Sequence, residues 1–189
     1  MLKPRKLVII TVILLVFWGS VYAEVRIRPE HWAQPVIGST LKNWYKIDDH
    51  LYRSEQPSAD EFRVIYGFGI KAVLNLRTYH DDDFEATGTK LKLYRHKVSA
   101  GKIGYKDIVK ALRIIKKEPR PILVHCLHGS DRTGAVCAAY RIVFHNWSKE
   151  QAVDELINGG YGFHSIFDNI PNLILEIDVE KLKRDVLTK

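Results

Sequence analysis

The chain has 189 residues, of which 46% are hydrophobic and 27% charged, and its formal net charge is +7. This length suits one domain with a sizeable core, and the composition excludes a disordered chain. Two cysteines are too few for a disulfide framework, and no long run of like charge is present, so nucleic-acid binding is not predicted.

The first 23 residues have the layout of a targeting segment. Lys3, Arg5 and Lys6 precede an apolar run over residues 7–18, and small residues ending at Ala23 follow. The pattern predicts a signal peptide cleaved after Ala23 or, alternatively, an uncleaved membrane anchor. Positive residues stay on the cytoplasmic side. Either alternative places the remainder beyond the membrane, which in a bacterium is the periplasm, and membrane association is expected only through this segment.

The rest of the chain is expected to form one domain behind a linker. Pro29, Pro35 and Gly38 interrupt residues 24–43, which predicts an extended arm, and residues 44–189 are assigned to the domain. Hydrophobic periodicity and capping boxes predict strands that alternate with helices, which is typical of an α/β fold with a central sheet. The predicted strands are 44–47, 51–53, 71–76, 91–98 and 121–124, and the predicted helices are 58–66, 105–117, 133–144, 148–158 and 171–187.

Residues 124–134 read V-H-C-L-H-G-S-D-R-T-G, between a strand-like run and a helix-forming segment. A loop from a strand to a helix N-terminus turns its backbone N–H groups inward and forms an anion cradle. Amide dipoles, the helix end and a guanidinium favour the thiolate of Cys126, and Arg132 can hold two phosphate oxygens. The pattern predicts a nucleophile at the floor of a phosphate pocket, although most free cysteines are simply small buried side chains.

His125-Cys126, five residues, and Arg132-Thr133-Gly134 resemble the signature of the cysteine-dependent protein tyrosine phosphatases, in their dual-specificity branch. L-Y-R-S at 51–54 and G-I-K-A-V-L-N-L-R at 69–77 are similar to bacterial members of the family, and N-G-G-Y-G at 158–162 is similar to their exported subgroup. The resemblance covers about residues 45–162. It implies a protein tyrosine phosphatase-like α/β fold, with a central, mostly parallel sheet flanked by helices and a phosphate-binding loop between a strand and a helix.

The resemblance also implies a phosphate monoester hydrolase with a phosphocysteine intermediate, acting on phosphotyrosine and on phosphoserine or phosphothreonine in proteins. Cys126 is then the nucleophile, Arg132 binds the phosphate, and His125 orients the loop. Thr133 would stabilise the leaving thiolate, or is only a first-turn helix residue. The phosphate-binding amides would be those of Leu127, His128, Gly129, Ser130, Asp131 and Arg132. Neither a cofactor nor a metal is expected, and Cys137 is interpreted as core filling.

The general acid is where the chain departs from the family pattern. The family supplies an aspartate from a loop that corresponds here to residues 98–104, which contain no carboxylate. Asp131 is the preferred replacement, although aspartate is favoured at helix N-termini for other reasons. The triplet at 81–83 is interpreted as a solvated acidic loop, and Asp107 as a first-turn helix residue.

Two other functions remain open at this point. One is a phosphatase for a non-protein substrate, such as an inositol lipid, a saccharide phosphate or a 5′-polyphosphate. The other is a phosphate-binding module with little turnover, because the family's usual acid is missing.

Overall fold

The computed structural model describes residues 28–188. The predicted signal peptide or anchor lies outside the described residues. Within residues 28–188, no helix has the length and hydrophobicity needed to cross a membrane. Six strands form one sheet in the order β1-β2-β3-β6-β4-β5, with the bounds β1 Gln34–Pro35, β2 Tyr45–Lys46, β3 Leu51–Ser54, β4 Ala72–Asn75, β5 Lys92–Arg95 and β6 Ile122–His125.

The sheet is mostly parallel, as predicted. β6 lies between β3 and β4 and is parallel to both, and β5 adds a fourth parallel strand beyond β4. β1 and β2 extend the other edge with antiparallel pairing. Because the carboxyl ends of parallel strands meet at one edge, the residues that follow β3, β4 and β6 are brought together there.

Helices cover both faces of the sheet, because side chains along each strand alternate between the two faces. Leu74 and Val124 pack with five helices in one core. Val73 and Leu123 pack with the helix Ala59–Phe68 in a second, smaller core. The helices are α1 Ala59–Phe68, α2 Tyr105–Lys117, α3 Asp131–His145, α4 Lys149–Asn158, α5 Asn169–Glu176 and α6 Val179–Leu187.

Local sequence signals set several helix boundaries as predicted. Ser58 and Ser148 each form a capping box, in which the N-cap and the third helical residue bind each other's backbone N–H. α2 has the predicted bounds. Asp107 lies in its first turn, where its carboxylate accepts from the Gly104 N–H at 3.0 Å. The interpretation of Asp107 as a helix-start residue is confirmed.

The helical region predicted over residues 171–187 consists of two helices. The backbone is extended at Ile177, and Asp178 begins a new helix by accepting a hydrogen bond from the Lys181 N–H at 2.9 Å. An aspartate at an N-cap satisfies an otherwise unpaired backbone donor, which favours the break over continuation.

Residues 28–43 form turns at 30–31 and 42–43 on either side of β1, and they pack against the domain. Trp32, Ala33 and Leu41 are buried, and the Ala33 N–H donates to the Glu155 carboxylate at 2.6 Å. Arg28 donates to the Gly159 carbonyl at 2.6 Å. The segment therefore contributes to the core and supplies the edge strand β1.

Candidate active site

The signature loop lies where the sequence places it, at the carboxyl end of the central strand β6. The strand ends at His125 and α3 begins at Asp131, so the loop occupies the residues between them. Cys126 is buried at its base. The N-terminus of α3, a helix of 15 residues, points its partial positive charge at the loop. An anion bound above Cys126 is favoured by this arrangement.

The loop is held by its carbonyl oxygens, which turn away from the pocket. Three of them accept hydrogen bonds from neighbouring segments: Gln56 N–H donates to Leu127 O at 3.0 Å, Asn43 Nδ2 to His128 O at 2.7 Å, and Arg53 Nη2 to Gly129 O at 2.6 Å. Because the carbonyls face outward, the amide N–H groups between them face the other way. Within the described chain, the N–H groups of residues 127–130 have no acceptor. They form the predicted anion cradle.

Gly129 makes this loop shape possible. Its φ of +71° lies in the left-handed region, which residues other than glycine rarely adopt. A Cβ atom at this position would lie 2.4 Å from the Ser54 carbonyl oxygen and 2.6 Å from the Glu55 nitrogen. The loop therefore rests directly on the backbone that follows β3, and this contact excludes any larger residue.

A cleft of about 330 Å³ opens beside the loop. Arg132 lies in it and donates to the Val98 carbonyl at 3.3 Å. The cleft is lined by Arg77, Thr78, Tyr79, Ser99, Ala100, Gly101, Leu127, Arg132 and Phe167. The segment from which the family supplies its aspartate thus reaches the cleft, but no carboxylate lines it among the described residues.

His125 is fixed by an aspartate that the sequence interpretation had assigned to solvent. Nε2 of its fully buried ring lies 2.9 Å from Asp82 Oδ2, and Nδ1 lies 3.1 Å from the Cys126 carbonyl oxygen. Both neighbours can only accept, and together they fix the orientation of the ring. The Asp82–His125 pair thus lies one residue from Cys126, at the start of the loop.

The interpretation of residues 81–83 as a wholly solvated loop is therefore wrong for Asp82, which is only 3% exposed. Burial raises the pKa of this carboxyl, but the hydrogen bond and charge of His125, together with the Gln56 amide, lower it further, and the pKa lies below its usual value. Asn75 Nδ2 also donates to it at 2.9 Å. These donors and the adjacent cation compensate for the loss of water around the buried charge.

Asp82→Asn is expected to slow alkylation of Cys126 by iodoacetamide in mildly acidic buffer, on the order of tenfold. The substitution removes the carboxylate that fixes the His125 ring one residue from Cys126, and with it a contact that supports the thiolate. The rate of carbamidomethylation, followed by mass spectrometry, measures the effect. Asp83→Asn is the matched control, because this neighbouring side chain is exposed. Equal rates in the two variants would show that Asp82 does not act on Cys126.

Asp82→Asn is also expected to lower the free energy of unfolding by an amount that depends on pH. A carboxyl whose pKa is lowered by folding stabilises the fold above its unfolded-state pKa, and this contribution disappears as the pH falls through the folded-state pKa. The difference in free energy of unfolding between wild type and Asp82→Asn should be largest near neutral pH and shrink in acid. Denaturant titrations across this pH range measure it.

Asp131 is buried at the start of α3, with its carboxylate engaged by the loop after α4. It accepts from the His164 backbone N–H at 2.9 Å and from His164 Nδ1 at 2.9 Å. Its side chain is 8% exposed, whereas that of His164 is 47% exposed. The structure thus places the preferred acid beside Arg132 but gives it a histidine partner. Its role as general acid stays a prediction.

The two remaining predicted side chains differ in their surroundings. Thr133 is buried, and its Oγ1 has no hydrogen-bond partner among the described residues, so the expected bond to the Cys126 sulfur is not formed here. Its role toward the leaving thiolate stays a prediction. Cys137 belongs to the main core, and burial raises its pKa to about 11, which confirms that it fills space.

Several side-chain contacts that support the loop were not predicted from the sequence, although Ser130 was named there for its backbone amide. Arg53 on β3 is buried, and its guanidinium lies 3.5 Å from the centre of the Tyr161 ring. The same guanidinium donates to the Gly129 carbonyl of the loop. Ser130 Oγ donates to the Tyr161 carbonyl at 2.6 Å. An arginine inside a fully buried strand was a signal available in the sequence, since such a charge requires a buried partner. Ser130 and Tyr161 gave no comparable signal.

Known proteins agree with this geometry. A sequence profile described as the tyrosine phosphatase family matches residues 40–185. The dual specificity protein phosphatase TpbA of Pseudomonas aeruginosa is 30% identical over 159 residues, which cover 82% of this chain and 71% of that protein. An inositol diphosphatase of Arabidopsis thaliana is 27% identical over 123 residues, which cover 60% of this chain and 59% of that protein.

Solved structures show the same fold. The crystal structure of a P. aeruginosa TpbA variant in complex with phosphotyrosine matches with a TM-score of 0.78 at 26% identity, covering 86% of this chain and 100% of that chain. The core catalytic domain of the PP-IP phosphatase SIW14 from S. cerevisiae matches with a TM-score of 0.65 at 26% identity, covering 76% of this chain and 90% of that chain. The predicted phosphatase fold is confirmed, and the chain belongs to the tyrosine phosphatase family.

Proposed function

We propose that the chain is a cysteine-dependent tyrosine or dual-specificity phosphatase that hydrolyses phosphate monoesters on proteins. The observation that carries this proposal is the hydrogen bonding of the signature loop. Its carbonyls accept from neighbouring segments, while the N–H groups of residues 127–130 have no acceptor within the described residues and remain available above Cys126. Such a cradle binds a phosphoryl group and places its phosphorus over a thiolate. Membership of the tyrosine phosphatase family supports the same chemistry.

The reaction takes two displacements. The Cys126 thiolate attacks phosphorus and the ester oxygen leaves, which gives a phosphocysteine, and water then hydrolyses that intermediate. Arg132 and the free N–H groups of the loop stabilise charge on the three equatorial oxygens, the main contribution in phosphoryl transfer. The Asp82–His125 pair orients the start of the loop beside the nucleophile, and Thr133 Oγ1 is available to stabilise the sulfur when it departs.

Phosphotyrosine is the substrate group that this site favours. An aryl oxygen is a better leaving group than an alkyl oxygen, so it depends less on a general acid, and no carboxylate lines the cleft among the described residues. The relative TpbA is named a dual specificity protein phosphatase, and its variant has been crystallised with phosphotyrosine. Phosphoserine and phosphothreonine are expected to be slower substrates.

A second candidate substrate is a small molecule with adjacent phosphates. Arg77 lies in the same cleft as Arg132, and its Nη1 donates to Gln56 Oε1 at 3.1 Å. Two guanidinium groups in one cleft suit a ligand that carries a further phosphate beside the one attacked. Relatives named an inositol diphosphatase and a PP-IP phosphatase support this alternative.

Phosphate release by the full-length chain separates the two candidates. We expect the highest kcat/KM on phosphotyrosine peptides, lower values on phosphoserine and phosphothreonine peptides, and little change in Arg77→Gln on the tyrosine peptides. A preference for inositol pyrophosphates that Arg77→Gln removes would favour the second candidate. Turnover of none of these substrates would contradict the phosphatase proposal.

We further propose that the protein acts in the bacterial periplasm, either released by cleavage after Ala23 or tethered to the inner membrane. Support comes only from residues 1–23, with their positive start and apolar run. Fractionation of a Gram-negative host that expresses the full chain tests this. A periplasmic or membrane-bound product is expected, and a soluble cytoplasmic product with its N-terminus intact would contradict the proposal.

A further inference from the structure

A phosphatase of this type needs a proton for the leaving oxygen, and among residues 28–188 no carboxylate lines the cleft to supply it. Protonation of a leaving group typically contributes about 10²–10⁴-fold to the rate. The Ser99–Gly101 segment lines the cleft with a hydroxyl, a methyl and a backbone only. A donor has to come from another element that borders the same cleft.

We propose that His164, held by Asp131, is this proton donor, an inference that rests on the proposed phosphatase function. The His164 ring donates through Nδ1 to Asp131 Oδ2 at 2.9 Å, and its backbone N–H donates to Oδ1 at 2.9 Å. Because Nδ1 is committed to the carboxylate, Nε2 carries the proton that can be transferred. Asp131 accepts from the backbone and the ring of the same residue, so it fixes the position of the His164 ring.

Asp131 and His164 do not line the cleft themselves, but each adjoins a residue that does, which supports this role. Asp131 directly precedes Arg132, and the His164 ring contacts that of Phe167, with 6.4 Å between ring centres. Phe167 and Arg132 line the cleft together. The His164 side chain is 47% exposed, so an entering substrate can reach it. His128 lies beside it at 5.4 Å between ring centres but has no carboxylate partner among the described residues.

The proton and electron balance is complete without an added cofactor. As the Cys126 sulfur bonds to phosphorus, the bond from phosphorus to the ester oxygen breaks and its electron pair stays on that oxygen. The Nε2 proton of the His164 imidazolium moves to this oxygen, and the alcohol or phenol leaves neutral. In the second step the now neutral ring takes a proton from the water that attacks the phosphocysteine. His164 is thus the catalytic residue and Asp131 a positioning residue.

A series of leaving groups tests the proposal, because only a proton donor changes how strongly the rate depends on leaving-group acidity. We would measure kcat/KM of the full-length chain on aryl and alkyl phosphates that range from p-nitrophenyl to simple alkyl esters. His164→Gln is expected to lose about 10²-fold or more on the poor leaving groups but less than about tenfold on p-nitrophenyl phosphate. Asp131→Asn should also make kcat/KM depend more strongly on the acidity of the leaving group.

His50→Gln is the matched control, because it replaces an exposed histidine away from this cleft and should leave the wild-type dependence unchanged. An active wild type whose leaving-group dependence is unaltered by His164→Gln would overturn the proposal. So would a steeper dependence in Asp131→Asn alone, since Asp131 would then be the donor. A wild type that releases no more phosphate than Cys126→Ser on every ester would instead overturn the proposed function, and this inference with it.

Discussion

Replacing Cys126 by serine is expected to abolish phosphate release while leaving the fold intact. A serine hydroxyl is not ionised near neutral pH, whereas the cradle and the N-terminus of α3 both favour a thiolate at this position. The loss in kcat should be on the order of 10⁴-fold or more, as when other enzymes lose their covalent nucleophile. Phosphate release from an aryl phosphate, with thermal unfolding as a check on the fold, measures it.

Cys137→Ser is the control for the nucleophile. This second cysteine is buried in the core, and burial raises its pKa to about 11, so it is expected to contribute nothing to turnover. Turnover that survives Cys126→Ser would refute the assignment of the nucleophile. A wild-type chain as inactive as Cys126→Ser would indicate the phosphate-binding module instead.

Replacing Arg132 by lysine is expected to lower kcat/KM by about 10³-fold. Lysine keeps the positive charge but loses the planar fork that holds two phosphoryl oxygens at once. It also loses the geometry with which Arg132 reaches the Val98 carbonyl across the cleft at 3.3 Å. Charge alone therefore does not compensate for the substitution.

Steady-state kinetics on an aryl phosphate measure this effect, and the drop should appear mainly in kcat, because the oxygens carry most charge in the transition state. Arg63→Lys is the matched control, since this arginine is exposed on α1 and pairs with Asp60 on the same helix. A kcat/KM within a few-fold of wild type in Arg132→Lys would show that the fork is not used.

Features with local signals could be predicted from the sequence. The capping boxes at Ser58 and Ser148, the helix Tyr105–Lys117 and the strand–loop–helix around Cys126 each depend on residues that are neighbours in the chain. Within these segments, the structure differs from the prediction mainly in the length of a strand or in the first turn of a helix.

Features that depend on contacts across the fold could not be predicted. Asp82 lies in a polar stretch that favours solvent, and only the pairing of β4 with β6 brings that stretch beside His125. Asp131 and His164 are 33 residues apart and meet only because α4 returns the chain to the loop. The break at Asp178 was visible as an N-cap residue, but an aspartate within a helical pattern is also compatible with continuation.

The most direct test of a phosphocysteine mechanism is to find the phosphoryl group on Cys126. The full-length chain would be mixed with an aryl phosphate, quenched in acid within milliseconds, digested and examined by mass spectrometry. A phosphoryl group is expected on the peptide that contains Cys126 and on no other peptide. No phosphoryl group is expected on Cys126→Ser. A wild-type chain that turns over the substrate with its phosphoryl group on a different residue would contradict it.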